Sequence, residues 1–340
     1  MGNQDLTSIA RSLAAPGKGI LAADESFGTI EKRFKSIDLP STEENRRAYR
    51  EMLFTTPRFG DFISGVILFD ETLRQKGSDG TPFSEVLRKA GSIAGIKVDA
   101  GAKPLAGSPG EQITEGLDGL RERLAEYSKL GARFTKWRSV ITIGEGIPTR
   151  ACIEANAEAL ARYAALAQEA GMVPIVEPEV LMDGSHSIER CEEVTEATLN
   201  TVFDRLFAHR IVLEHMLLKP NMVISGKKAA RRANVQEVAE ATVLTLRRTV
   251  PAAVPGIVFL SGGQTPEEAT AHLNAMNALG THPWELSYSY GRALQDEALH
   301  AWLGQKANVA AAQTAFAKRG RCCSAARYGR YSPEMEMQVA

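Results

Sequence analysis

Cysteine is scarce in this chain. Its four cysteines, Cys152, Cys191, Cys322 and Cys323, are too few for a disulfide scaffold and lack the paired C-x-x-C spacing of a zinc site. A reducing cytoplasm is the expected compartment. The histidines, His186, His209, His215, His272, His282 and His300, show no i, i+4 pair or other zinc spacing, so no metal is expected and they read as structural or surface residues. Long apolar runs are also missing, since charge interrupts each one well before the 18 or so residues a membrane span needs. The opening Met1-Gly2-Asn3-Gln4-Asp5-Leu6 has no basic stretch followed by an apolar one, and Leu6 stands where a myristoylation signal needs Ser or Thr. An unprocessed, cytoplasmic protein is expected. Nor is there a bias of charge: 40 Lys and Arg against 41 Asp and Glu give −1, which argues against a protein built mainly for nucleic acid or anionic membrane. No low-complexity linker divides the chain, so residues 1–340 are expected to form a single domain.

What is present is alternation. Short β-branched or apolar runs at 19–24, 65–70, 95–99, 132–140, 173–179, 216–221, 257–262 and 285–290 are separated by long amphipathic stretches, the pattern of repeated βα units. Eight such units close a (β/α)₈ TIM barrel. The 3.6-residue periodicity predicts helices over 111–130, 150–170, 189–210 and 235–248, among others. Ser41-Thr42-Glu43-Glu44 predicts a capping box, and Thr265-Pro266-Glu267-Glu268 a helix start with Pro at its first position. Gly131, Gly171 and Gly280 follow helical runs as stops. The first 17 residues form an N-terminal extension, and those from about 305 to 340 a helical C-terminal tail.

In such a barrel the polar residues at the strand C-terminal ends line one pocket. Here strand one ends in Asp24, strand three carries Lys97, strand four Lys136 and Arg138, strand five Glu177 and Glu179, and strand six Lys219. Strand parity puts Lys136 with Arg138 on one face, and Glu177 with Glu179 likewise. Singly, each residue reads as structural: a turn cap, a rim ion pair, a snorkelling amine. Seven strands ending in charge or glycine at one face are a different matter. Lys219 is the single charge in Met216-Leu217-Leu218-Lys219-Pro220-Asn221-Met222-Val223. Desolvation there disfavours an ammonium, and a neutral amine attacks carbonyls. Neighbouring cations and carboxylates supply the acid and base helpers that Schiff-base chemistry requires.

The turns Ser261-Gly262-Gly263 and Gly291-Arg292, after strands seven and eight, occupy the usual barrel phosphate site, where backbone N–H groups and a helix N-terminus face an anion. Lys32 and Arg33 with Lys97 form a second cationic cluster. Two phosphates imply a sugar bisphosphate.

The chain resembles the class I, Schiff-base-forming fructose-bisphosphate aldolases over nearly its whole length. The carriers are Leu21-Ala22-Ala23-Asp24-Glu25-Ser26, Gly65-Val66-Ile67-Leu68-Phe69, Gly95-Ile96-Lys97-Val98-Asp99, Phe134-Thr135-Lys136-Trp137-Arg138 and Val173-Pro174-Ile175-Val176-Glu177-Pro178-Glu179. They continue through Leu217-Leu218-Lys219-Pro220-Asn221, Leu260-Ser261-Gly262-Gly263-Gln264 and Ser289-Tyr290-Gly291-Arg292-Ala293-Leu294-Gln295. The resemblance implies reversible cleavage of fructose 1,6-bisphosphate to dihydroxyacetone phosphate and glyceraldehyde 3-phosphate, with no metal or other cofactor. It implies that Lys219 condenses with C2 of the ketose, that Glu177 is the acid and base of dehydration, that Asp24 takes the C4 hydroxyl proton, and that Lys136 acts electrostatically. Ser261, Gly262, Gly291 and Arg292 match the family's site for the C1 phosphate, with Gly263 in the same turn. Ser26, Thr29 and Lys97 match the C6 phosphate site, with Lys32 and Arg33 at its rim. A homotetramer is also implied.

Three departures stand out against that pattern. Thr29 replaces a Ser of the animal enzymes and keeps the hydroxyl. Phe27 replaces a smaller residue and is expected to narrow that side of the pocket. The chain ends Glu336-Met337-Gln338-Val339-Ala340, without the terminal Tyr that helps protonate the enamine in animal and plant members. The altered tail suggests a bacterial-type member. Either Tyr328 or Tyr331 then folds over the barrel mouth, or Glu177 and ordered water protonate the enamine. An aldolase for another phosphorylated sugar and a binding scaffold are the competing readings; the phosphate-end residues disfavour the first, and the intact acid, base and lysine set disfavours the second.

Overall fold

A computed structural model describes residues 3–337. Eight parallel strands close a barrel in which each is bonded to its neighbours in sequence order: β1 (Gly19–Ala23), β2 (Ile63–Leu68), β3 (Ile93–Lys97), β4 (Phe134–Ile141), β5 (Val173–Val180), β6 (Leu217–Leu218), β7 (Gly256–Phe259) and β8 (Glu285–Tyr290), with β8 returning to β1. Helices run between them, so both faces of every strand are covered and the strands read as continuous apolar runs. The architecture is the expected (β/α)₈ barrel.

The N-terminal extension, helix Asn3–Leu13, closes the bottom of the barrel. Leu6, Ala10 and Leu13 join Ile20, Ile67, Phe134, Val173, Ile175, Leu217 and Val258 in one apolar cluster inside the strands. Phe134 fills this floor because Gly95 opposite has no side chain, and Leu13 enters where a Cβ on Gly65 would stand 2.5 Å from it. With the floor packed in this way, the open mouth is left at the strand C-terminal ends.

Several predicted elements need adjustment. Residues 111–119 are not helical: Gln112–Thr114 pairs antiparallel with Ala102–Pro104, and the helix begins at Leu120. The alternating Gln112-Ile113-Thr114 found a strand partner, which overrode the helical period. β2 and β3 begin and end two residues early, because Asp70 already starts the helix Asp70–Arg74 and Asp99 turns the chain. The ladder of β6 holds only Leu217 and Leu218, although Lys219 N still donates to Val176 O at 2.8 Å. Pro220, without an N–H, ends it there. The helix Glu43–Phe54 is capped by the Thr42 hydroxyl, which accepts from Asn45 N, rather than by a full capping box. The capping box at Thr265 and Glu268 forms as expected, as do the glycine stops at Gly131, Gly171 and Gly280, all at positive φ.

The tail climbs the outside of the barrel. After helix Val309–Ala326, Arg327 anchors it below the strands by donating to the carbonyls of Ala14, Ala15 and Lys18. Neither tail phenol lies over the mouth. Tyr328 sits against Gly17 at the opposite end, and Tyr331 donates to Glu336 Oε1 at 2.9 Å while its N–H bonds Asn274 Oδ1 at 2.8 Å on an outer helix. Residues 338–340 fall outside the described residues.

Candidate active site

The barrel delivers its inward residues to one mouth by parity. On β4 and β5 the inward positions climb from Phe134 and Val173 in the floor to Lys136 and Arg138, and to Glu177 and Glu179. At the centre is a row of alternating charges: Asp24 Oδ2 lies 2.7 Å from Lys136 Nζ, Lys136 Nζ lies 3.4 Å from Glu177 Oε2, and Glu177 Oε1 lies 3.2 Å from Lys219 Nζ. The Lys136, Glu177 and Lys219 side chains are each about 4% exposed. Among the described residues, Glu177 is the one carboxylate within 4 Å of the Lys219 amine.

Electrostatics separate the members. Burial opposes ionisation of Asp24, but the charges of Lys136 and Lys219 and the hydrogen bond from Lys136 outweigh it, so its pKa falls well below the ordinary carboxylate range. For Lys136 burial favours the neutral amine, and the surrounding Asp24, Glu177 and Asp99 carboxylates overcome it, holding the ammonium. Asp24 is therefore held as a carboxylate beside a fixed cation. Among the described residues Glu177 Oε2 is buried with no hydrogen-bond partner, the 3.4 Å approach of Lys136 lacking the geometry. Glu177 thus turns Oε1 to the Lys219 amine and keeps Oε2 as a free acceptor on the Lys136 side.

The cavity has two lobes. One, of about 310 Å³, is lined by Asp24, Ser26, Thr29, Arg33, Lys97, Lys136, Arg138, Glu177, Lys219 and Gly291. The other, of about 560 Å³, shares Thr29, Arg33, Arg138, Lys219 and Gly291 and adds Lys32, Glu179, Ser261, Gly262, Gly263 and Arg292. Every residue expected to act in catalysis or phosphate binding from the strand ends and their turns thus lines one lobe or the other, and the lobes share Lys219. Gly262 and Gly263 take positive φ of 47° and 75°, a turn that a side chain would strain. Arg292 opens the helix Arg292–Trp302, which aims its N-terminus at the same lobe. In the smaller lobe Ser26 Oγ and Thr29 Oγ1 stand 3.2 Å apart. Phe27 does not narrow the pocket. It packs edge-on against Phe69 under the Arg46 guanidinium, outside both lobes.

The model of the family described as fructose-bisphosphate aldolase class-I matches residues 5–340. The chain belongs to that family. It is 59% identical over 332 residues to a Xanthomonas axonopodis pv. citri protein named probable fructose-bisphosphate aldolase class 1, covering 97% of this chain and 99% of that one. It is 54% identical to fructose-bisphosphate aldolase 6, cytosolic, of Arabidopsis thaliana, covering 98% and 93%. A Plasmodium falciparum fructose-bisphosphate aldolase, solved in complex with TRAP and a small-molecule inhibitor, superposes with a TM-score of 0.96 at 51% identity over 97% of this chain and 95% of that one. The aldolase reaction of this chain is the reversible cleavage of fructose 1,6-bisphosphate through a lysine Schiff base, a lyase activity.

Sequence reasoning missed several residues of the aldolase site. Asp99 pairs with Lys97 at 2.9 Å and accepts from Arg138 N at 3.2 Å, fixing two strand ends. Ser289 lines the larger lobe with a buried hydroxyl that has no hydrogen-bond partner among the described residues. The parity of β8 carried a signal for it, since Ser289 lies two residues before Gly291. Glu25, next to Asp24, holds its side chain 4% exposed between two arginines.

Proposed function

We propose that Lys219 is the Schiff-base lysine of this aldolase, with Glu177, Asp24 and Lys136 dividing the proton transfers between them. The observation that carries the assignment is the buried row Asp24, Lys136, Glu177, Lys219, with neighbouring charged atoms 2.7–3.4 Å apart. The Lys219 amine adds to the C2 carbonyl of fructose 1,6-bisphosphate. Glu177, within hydrogen-bond reach of that amine, protonates the C2 hydroxyl, which leaves as water and yields the iminium. Asp24 takes the C4 hydroxyl proton; the C3–C4 bond breaks, its electron pair enters the iminium to form an enamine, and glyceraldehyde 3-phosphate departs. Protonation at C3 and hydrolysis, with Glu177 now the base, release dihydroxyacetone phosphate. The Lys136 ammonium stabilises both carboxylates throughout, and Glu179 holds Arg138 at 2.5 Å beside them.

The C1 phosphate is assigned to Ser261, Gly262, Gly263, Gly291 and Arg292, and the C6 phosphate to Ser26, Thr29 and Lys97, with Arg33 bordering both lobes and Lys32 the larger one. Cytoplasmic location is supported by the cytosolic Arabidopsis relative and by the lack, among the described residues, of a helix long and apolar enough to cross a membrane. A homotetramer is supported by family membership and by large apolar side chains left open on outer helices, Phe207 being 85% exposed.

The test is borohydride reduction in the presence of dihydroxyacetone phosphate, followed by peptide mass mapping. The adduct is expected on Lys219, with inactivation in proportion to labelling. An adduct on Lys136, or labelling without loss of activity, would overturn the assignment.

A further inference from the structure

Glu25 follows Asp24 in the chain and borders the smaller lobe, but its carboxylate is held in a buried cluster. Its Oε1 lies 2.7 Å from Arg33 Nη1, and accepts from Gln295 Nε2 at 3.0 Å. Its Oε2 accepts from Arg50 Nη2 at 2.5 Å. Gln295 is held in one orientation, because its Nε2 also donates to Ala22 O at 2.8 Å and its Oε1 accepts from Tyr49 at 3.2 Å. The cluster therefore ties the end of β1 to three helices: Phe27–Lys35 through Arg33, Glu43–Phe54 through Arg50, and Arg292–Trp302 through Gln295. These meet where the two lobes of the cavity join.

Arg33 and Arg50 play different parts in it. The Arg33 side chain is 21% exposed and lines both lobes, its Nη2 reaching within 3.4 Å of where a Cβ on Gly291 would stand. That of Arg50 is 3% exposed and lines neither. A single carboxylate facing a single guanidinium neutralises it and draws it out of the cavity. A carboxylate shared between two guanidiniums leaves one positive charge over.

We propose that Arg50 is a positioning residue for phosphate binding, acting through Glu25 to leave the Arg33 charge available in the cavity. Arg50 saturates Oε2, Gln295 fixes the carboxylate plane, and Arg33 keeps one arm on Oε1 and one toward the substrate. The inference rests on the reading of Arg33 as a phosphate-facing residue.

The test compares Arg33→Met, Arg50→Met and the double variant, reading KM and kcat for fructose 1,6-bisphosphate and inhibition by inorganic phosphate. Arg50→Met is expected to raise KM and the phosphate inhibition constant about fivefold, well under a full charge contact, with kcat changed less than the binding constants. In the Arg33→Met background the Arg50 substitution should add nothing, and Arg50→Lys should recover much of the loss. A brace with no electrostatic role would show neither the non-additivity nor the rescue. If Arg50→Met does not yield folded protein, Gln295→Glu carries the test: a second carboxylate beside Glu25 should raise KM in the parent and not in Arg33→Met. Additive effects, or a fall in kcat at constant KM, overturn the inference. If Arg33→Met itself leaves phosphate inhibition unchanged, the assignment of Arg33 fails, and the inference falls with it.

Discussion

The two ends of the barrel bury charge in opposite ways. At the bottom, Arg327 gives its Nη atoms to the carbonyls of Ala14, Ala15 and Lys18, to Ser287 Oγ and to Glu285. Most of these acceptors are main-chain carbonyls fixed by the fold, and the one carboxylate, Glu285, is half exposed at the rim and borders neither lobe of the cavity. At the mouth, the Lys136 and Lys219 amines and the Asp24 and Glu177 carboxylates answer one another across a cavity, and Glu177 Oε2 and Ser289 Oγ are left without hydrogen-bond partners among the described residues. Burial of charge alone therefore does not mark a site. What marks it is charge balanced by groups that can themselves gain or lose a proton, beside space for a substrate.

If that contrast is sound, substitutions at the mouth should change chemistry far more than stability. Asp24→Asn is expected to lower the cleavage rate by about 10²- to 10⁴-fold, the range for loss of a general base, while still forming a covalent adduct that borohydride traps uncleaved. Glu177→Gln should instead slow adduct formation. Single-turnover trapping distinguishes them. An Asp24→Asn enzyme that forms no adduct would place Asp24 in binding or imine formation, and the division of labour along the charge row would be lost.

The bottom should respond the other way round. Arg327→Met leaves buried carbonyls unpaired, at a cost of about 1 to 3 kcal/mol, while the half-exposed Glu285 returns to water. Denaturant unfolding should show that loss, with kcat of the remaining folded enzyme close to that of the parent. A large fall in kcat without loss of stability would mean that the two ends are not separable.

Between these extremes lies His272, on the helix Pro266–Ala278. Its Nδ1 lies 2.5 Å from Gln264 Oε1, and Gln264 Nε2 donates to Ser261 O at 2.9 Å, so the ring backs the proposed phosphate turn from behind. With the amide N–H groups spent on Ser261, Nδ1 must carry the proton that Oε1 accepts. Burial, with a smaller contribution from Arg232, lowers its pKa to about 4 from the usual 6.5, against the opposing pull of Glu268. The unfolded chain therefore holds more protons between about pH 6.5 and pH 4, and stability rises with pH across that window. His272 contributes fully above pH 6.5, and up to about 3 kcal/mol is lost as pH falls toward 4. His272→Gln should flatten that part of the stability profile. A profile equally steep in the variant would assign the acid lability elsewhere.

How much of this could be read from sequence follows from the kind of constraint involved. The barrel and its mouth were legible because short continuous apolar runs and charged strand ends are local patterns, and parity alone put Lys136 with Arg138 and Glu177 with Glu179. The Gln112–Thr114 hairpin strand was not, since its partner Ala102–Pro104 shares no local signal with it. Nor was the Glu25, Arg50 and Gln295 cluster, whose members lie 25 and 270 residues apart. Phe27 was misread for a related reason: a substitution beside a binding residue has no direction until Phe69 and Arg46 supply a place for the ring.

The tail gives the smallest expected effect, and it bears on whether the outer surface has any part in the chemistry at the mouth. Tyr331 bonds Glu336, which in turn pairs with the buried Arg319 on helix Val309–Ala326. Truncating the tail confounds the question, because Cys322, Cys323 and Arg327 are buried and their loss would damage the fold. Tyr331→Phe removes one hydroxyl and keeps the ring. It should cost about 1 kcal/mol of stability for the lost hydrogen bond and leave proton exchange at C3 of dihydroxyacetone phosphate unchanged, since the phenol lies on the outer layer and Glu177 with water is the nearer proton route. Exchange that slowed in Tyr331→Phe while carbon–carbon cleavage held its rate would mean that the tail leaves this position during turnover, and enamine protonation would then have to be reassigned from the mouth to the tail.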